Sequence, residues 1–123
     1  MKQISVVIIL LAFNVVTAQN EKEKVKNTID SFFESFHNQD SVTMKKNVSE
    51  KVIIQSIGEN QKGATVVNEI SFSDFLKSIS SIPKDISFKE ELLDYQISID
   101  GSMANVWTPY KFYFNDSLSH CGV

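Results

Sequence analysis

An α+β domain, with N-terminal helices packed on one face of a curved antiparallel sheet, is the architecture this sequence predicts. Apolar residues recur at helical spacing over Lys22–Asn38, whereas the second half of the chain alternates apolar and polar residues with period two. The pairs Asp100-Gly101 and Asn115-Asp116 then interrupt that alternation with turns too short for anything but antiparallel neighbours. With 123 residues, 42% of them hydrophobic, the chain has room for one small domain and not for two.

Met1 and Lys2 form a short basic start, Ile4 to Val16 is apolar apart from Ser5 and Asn14, and Val16, Thr17 and Ala18 present small side chains. This is the pattern of a secretory signal peptide over residues 1–18, with cleavage expected after Ala18. The apolar run is 13 residues long, and a bilayer-spanning helix needs roughly 20. A secreted or periplasmic product, free of the membrane after cleavage, is therefore expected. An uncleaved N-terminal anchor is the competing reading. Loss of Lys2 with the signal takes the formal charge from -3 to -4, as 11 lysines then face 15 carboxylates. Every basic residue is lysine, so the guanidinium fork suited to phosphates and base edges is missing, and the acidic balance argues against nucleic acid as a partner.

In the mature part, Val25, Ile29, Phe32, Phe33 and Phe36 form the apolar stripe of the first helix, with charged residues on its other faces. Asp40 or Ser41 caps a shorter helix containing Val42, Met44 and Val48. Val52–Ile57 and Ala64–Ile70, rich in β-branched residues and separated by Gly58–Gly63, read as a hairpin. Ser71 and Asp74 have the spacing of a capping box ahead of Phe72, Phe75, Leu76, Ile79 and Ile82, and Pro83 stops that third helix. Leu93, Tyr95, Ile97 and Ile99 alternate with polar residues as a half-buried strand. In the next strand Ala104, Val106, Thr108, Tyr110, Phe112 and Phe114 share one face, and Pro109, with no N–H to donate, predicts a bulge or an edge. Leu118–Val123 begins a further strand. Helices on one face of such a meander leave a concave space, a common place for a small-molecule pocket.

The order of elements, the stretch Phe32–Asp40, the helix Asp74–Ile79, the strand Met103–Tyr110 and the segment Ser119–Val123 together resemble the nuclear transport factor 2-like superfamily, in particular its secreted bacterial members. The resemblance covers nearly all of residues 19–123 and implies a cone-shaped α+β roll. It also implies a last long strand beyond the one beginning near Ser117, so a C-terminally incomplete domain with exposed strand edges is expected. As a guide to activity it is weak, because the superfamily includes enzymes, carriers and assembly domains.

Pocket positions in such a fold fall to Phe33, Tyr95, Tyr110 and His120, with Trp107 joining them if the Pro109 bulge changes strand parity. Aromatic walls with a few polar tips suit a flat or apolar ligand; equally, these rings can simply fill a thin core. His120 shares strand parity with Gly122, whose missing side chain leaves room for a ligand or a neighbouring backbone, and it is the one candidate for a catalytic base. Paired metal ligation by His120 and Cys121 is excluded by their opposite parity, and no metal site or cofactor is expected. Cys121, without a partner in the chain, reads as a small buried hydrophobe, and His37 as a cation at a helix C-terminus.

A ketosteroid isomerase-like reaction needs a carboxylate base and acidic oxyanion donors on the pocket wall. Asp94 and Asp100 take solvent-facing parity and Asp30 falls off the helical stripe, so that constellation does not assemble from the pattern. The expected function is non-catalytic binding of a small apolar or aromatic ligand, or self-association as a homodimer. The alternatives are an isomerase, dehydratase or hydrolase using His120 with a tyrosine such as Tyr110, and an interaction module of an envelope assembly.

Overall fold

The computed structural model describes residues 2–123, with side chains from Gln19 onward. The expected signal at 1–18 lies outside the residues so described. Among the described residues no helix is long and apolar enough to cross a membrane. The α+β class holds. The elements run α1 (Lys2–His37), α2 (Ser41–Lys46), β1 (Ile54–Glu59), β2 (Thr65–Ile70), α3 (Phe72–Ser80), β3 (Phe88–Leu92), β4 (Gln96–Asp100), β5 (Met103–Trp107), β6 (Tyr110–Phe114) and β7 (Ser117–Gly122).

Local chemistry explains the helix ends. α1 closes in a Schellman turn: Asp40 N donates to Ser35 O at 2.8 Å, Gln39 N donates to Phe36 O at 3.0 Å, and Gln39 takes the left-handed φ of 54°. Asp40 then caps α2 through 3.1 Å bonds from Val42 N and Thr43 N. Ser71 caps α3 by accepting from Asp74 N at 3.1 Å, as the spacing predicts, and the Asp74 carboxylate accepts from the Ser71 hydroxyl at 2.7 Å rather than from the Ser71 backbone N–H of a full capping box. Two buried side chains from α3, Leu76 and Ile79, meet Phe36 and the fully enclosed Met44. Phe33, Phe75, Phe88 and Phe112 pack around that centre, so the core lies between the three helices and the inner face of β3 and β6.

Strand pairing is antiparallel throughout, in ladders β1-β2, β3-β6-β7 and β4-β5. The last two ladders are halves of one long bent hairpin. Leu92 pairs with Tyr110 and Gln96 with Trp107, which leaves three residues, Leu93 to Tyr95, opposite only Thr108 and Pro109. Leu93 N still donates to Pro109 O at 2.8 Å. This is the bulge predicted from Pro109, with the extra residue carried by the facing strand. It corrects the start of the fourth strand: Leu93 belongs to the bulge, and a separate strand, β3, precedes it. Gly101 and Ser102 turn the β4-β5 hairpin, one residue later than expected, with Gly101 at φ 57°. Asn115 and Asp116, at φ 53° and 60°, make the type I′ turn into β7.

Gln39 shows why a residue other than glycine sits in a left-handed position. Its Nε2 donates to Ile79 O at 2.7 Å and to Ile82 O at 2.8 Å, closing the C-terminal end of α3, while Lys84 Nζ donates to its Oε1. Replacing it by glycine relieves a left-handed cost of roughly 1 kcal/mol but removes two bonds worth about 1 kcal/mol each and adds backbone entropy to the unfolded chain. Gln39→Gly is expected to lower stability by about 1–2 kcal/mol in urea denaturation.

Candidate functional site

α1 presents Lys26, Asp30, Phe33 and His37 at steps of four, three and four residues, which places them along one side of the helix. β3 runs beside this row, and the bulge after it turns Tyr95 toward α1. Between them lies an open groove of about 480 Å³ lined by Asp30, Phe33, His37, Glu90, Leu92 and Tyr95, with Glu34, Lys89 and Glu91 at its rim.

Tyr95 is held at its hydroxyl and at its ring face. Its hydroxyl donates to Asp30 Oδ1, Lys26 Nζ sits 2.5 Å from Asp30 Oδ2, and the same ammonium lies 4.6 Å from the centre of the Tyr95 ring. Partial burial raises the Asp30 carboxyl, but the Lys26 ammonium and the Tyr95 hydroxyl outweigh it and hold the group below its usual value. Tyr95 is pushed up to about 12, first by burial and then by the carboxylate that its proton serves. The aromatic wall is thus set by the chain itself before any ligand arrives.

At the other end of the groove His37 performs a task different from the helix-dipole cation expected of it. Its Nε2 accepts the Glu90 backbone N–H at 2.9 Å, satisfying a donor on the edge of β3. That bond requires a ring unprotonated at Nε2, and burial, aided by nearby Lys89, pushes the imidazole below its usual pKa. Glu90 projects on the inner side of β3, the side shared with Phe88, Leu92 and the core residue Phe112. Its carboxyl is pushed up to about 7 by burial alone, and among the described residues no side chain bonds to it.

The five positions expected to line a pocket divide into two groups and an outlier. Phe33 and Tyr95 meet in the groove. Tyr110 and His120 pack edge to face on each other, ring centres 5.8 Å apart, and His120 also lies 5.0 Å from Phe112. The space expected beside Gly122 is filled by the Tyr110 ring: a Cβ there would stand 2.9 Å from Tyr110 Cε1 and Oη. Burial and the neighbouring Glu90 raise the Tyr110 hydroxyl pKa. His120 is solvent exposed, its Nδ1 3.3 Å from Ser119 Oγ. Trp107, 55% exposed on β5, joins neither group. Cys121 is exposed opposite Lys111 on the outward face of the edge strand, which corrects its reading as a buried hydrophobe.

No protein-family model, curated protein or solved structure matches this chain. The site is therefore read from its own geometry. Lys26, Asp30, His37 and Glu90 are the members that pattern reading missed. The i,i+4 pair Lys26 and Asp30 and the alternation Phe88, Glu90, Leu92 were signals for them. Nothing local announces the Tyr95 to Asp30 bond, which depends on the bulge. Among the described residues no group of three or more His, Cys, Asp or Glu side chains gathers as a metal site.

Glu90 and His37 give opposite pH slopes. A carboxyl raised to about 7 from an ordinary 4.5 makes folding less favourable as pH rises between those values. A histidine held below 6.5 makes folding less favourable as pH falls through that value. The two slopes oppose each other over the mildly acidic range. The full Glu90 shift corresponds to about 3 kcal/mol, which solvent screening of a partly exposed carboxylate reduces to about 1–2 kcal/mol. Glu90→Gln is expected to be more stable than the parent by that amount at pH 8, and to gain stability more steeply than the parent as pH rises toward about 6.5. Urea midpoints measured from pH 4.5 to 8 check this.

Proposed function

We propose that this chain is an exported small-molecule-binding domain of the nuclear transport factor 2-like kind, and that its ligand site is the groove between α1 and the bulged hairpin. The observation that carries the reading is the fixed Tyr95: a β-bulge aims the ring at α1, and Asp30 and Lys26 hold it facing a groove that Phe33 and Leu92 also line. A preformed aromatic wall lowers the ordering cost of binding a flat or apolar molecule. The order helix, helix, hairpin, helix, then a bent antiparallel meander supports the family reading.

Binding without turnover fits the way the groove's polar groups are employed. Asp30 already holds Lys26 and Tyr95, and the lone pair of His37 Nε2 already accepts the Glu90 N–H, so both have structural tasks. The Tyr110 and His120 pair has its intervening space filled by the Tyr110 ring, which leaves no room for a substrate beside Gly122.

Titration of the chain with indole and 2-phenylethanol, followed by amide chemical-shift changes and thermal shift, tests the site. The expected result is saturable shifts confined to α1 and β3, abolished by Tyr95→Ala and retained by Trp107→Ala. Shifts that survive Tyr95→Ala unchanged, or none with either probe, overturn the assignment.

A further inference from the structure

Resting on that groove reading, we infer that the natural ligand carries one ammonium group on a flat or apolar body, and that the Glu90 carboxylate receives it. The inference comes from charge complementarity within the groove. Of the carboxylates on α1 and the inner side of β3, Asp30 is already paired, and Glu34 and Glu90 have no side-chain partner among the described residues. Lys26 is committed to Asp30. A small anion entering there would meet a surplus of negative charge, whereas a cation would find Glu90, which is half-buried where Glu34 is exposed and to which no side chain bonds among the described residues.

The groups around Glu90 explain why the chain supplies no cation of its own. On the α1 side of the groove stand Glu34, an acid, and His37, whose Nε2 must stay unprotonated to accept the Glu90 N–H. Lys89 and Glu91 flank it in sequence and so point to the opposite side of β3. From β6 it is approached by the neutral Tyr110 hydroxyl, and beyond that by His120 of β7, which packs on Tyr110 and Phe112. A divalent metal ion would want several oxygen donors gathered at one point, and among the described residues they are not gathered. A primary ammonium needs only one carboxylate, with Phe33 and Tyr95 available for the body it is attached to.

Ionised Glu90 is the form that binds a cation, and burial holds the carboxyl at about 7, so ligand uptake expels a proton below neutral pH. Affinity for an ammonium is expected to rise about tenfold between pH 6 and pH 8, and to level off once Glu90 is fully charged.

Three probes sharing one body separate the possibilities: phenethylamine, 2-phenylethanol and 3-phenylpropionate, each titrated into the full chain by calorimetry at pH 6 and pH 8. The expected order is the amine tightest, the alcohol weaker and the carboxylate weakest, with the pH step confined to the amine. Glu90→Gln is expected to bind amine and alcohol alike at both pH values, and Glu34→Gln to retain the amine's pH step. Equal binding of amine and alcohol to the parent chain overturns the ammonium inference while leaving the groove intact. Absence of binding by all three overturns both. The pH step is read on the parent chain, so the test stands even where Glu90→Gln folds poorly.

Discussion

Five consecutive residues at the end of α1 hold most of the domain together. Phe36 is buried at the centre, stacked on Phe75 of α3 at 6.1 Å and edge-on to Phe88 of β3 at 5.2 Å. His37 satisfies the edge of β3, Asn38 returns its amide to Glu34 O, Gln39 closes the end of α3, and Asp40 caps α2. One Schellman turn therefore fixes the relation of α1 to three other elements. A chain of this size buries a limited share of its surface, so several directional bonds concentrated at one point matter more than they would in a larger core. The helical end must keep its left-handed residue, its polar caps and its aromatic plug together, since each of them orients the same turn.

The second constraint is the bulge opposite Pro109. A regular ladder would carry the alternation of β3 unbroken into β4, and Tyr95 would keep the parity set by Leu93. One extra residue breaks that parity and bends the hairpin, which lets Tyr95 reach Asp30 across 65 positions of sequence. A missing donor at residue 109 thus decides where an aromatic ring sits at residue 95. The same geometry leaves Glu90 on the inner side of β3 beside the core, where an apolar residue would pack without a desolvation cost. The carboxyl there is carried at the expense of stability.

These two constraints also mark what the sequence alone made legible. Both helix N-caps, the stop at Pro83, the β1-β2 hairpin, the Asn115-Asp116 turn and the bulge at Pro109 follow from chemistry within a few residues, and all were readable. β3 was missed because its two apolar inner residues, Phe88 and Leu92, enclose a glutamate at the position that should read as apolar. The anomaly that hid the strand is a residue that lines the groove. Phe33 and Tyr95 both line the groove beside α1, whereas the space expected beside Gly122, next to Tyr110 and His120, is filled by the Tyr110 ring. A glycine on a strand signals close approach; it does not say by what. Cys121 reads as buried because an unpaired thiol commonly acts as a small hydrophobe, yet its strand lies at the sheet edge and its side chain is exposed.

Stability and binding then pull the α1 to β3 junction in opposite directions. Below about 7 Glu90 takes a proton, the desolvation cost falls, and the junction is better suited to standing empty. Above it the carboxylate is charged and ready for a cation, and the empty fold bears the cost. His37 limits the acidic side, because protonating its ring at Nε2 would break the bond to the Glu90 N–H on the same strand. A ligand ammonium resolves the conflict at higher pH by replacing the lost solvation of Glu90 with a partner, so occupancy should stabilise the fold most where the empty site is weakest. Such coupling needs no moving lid. It arises because one half-buried carboxyl sits between a neutral histidine and a fixed tyrosine, on a strand edge that the end of α1 holds in place.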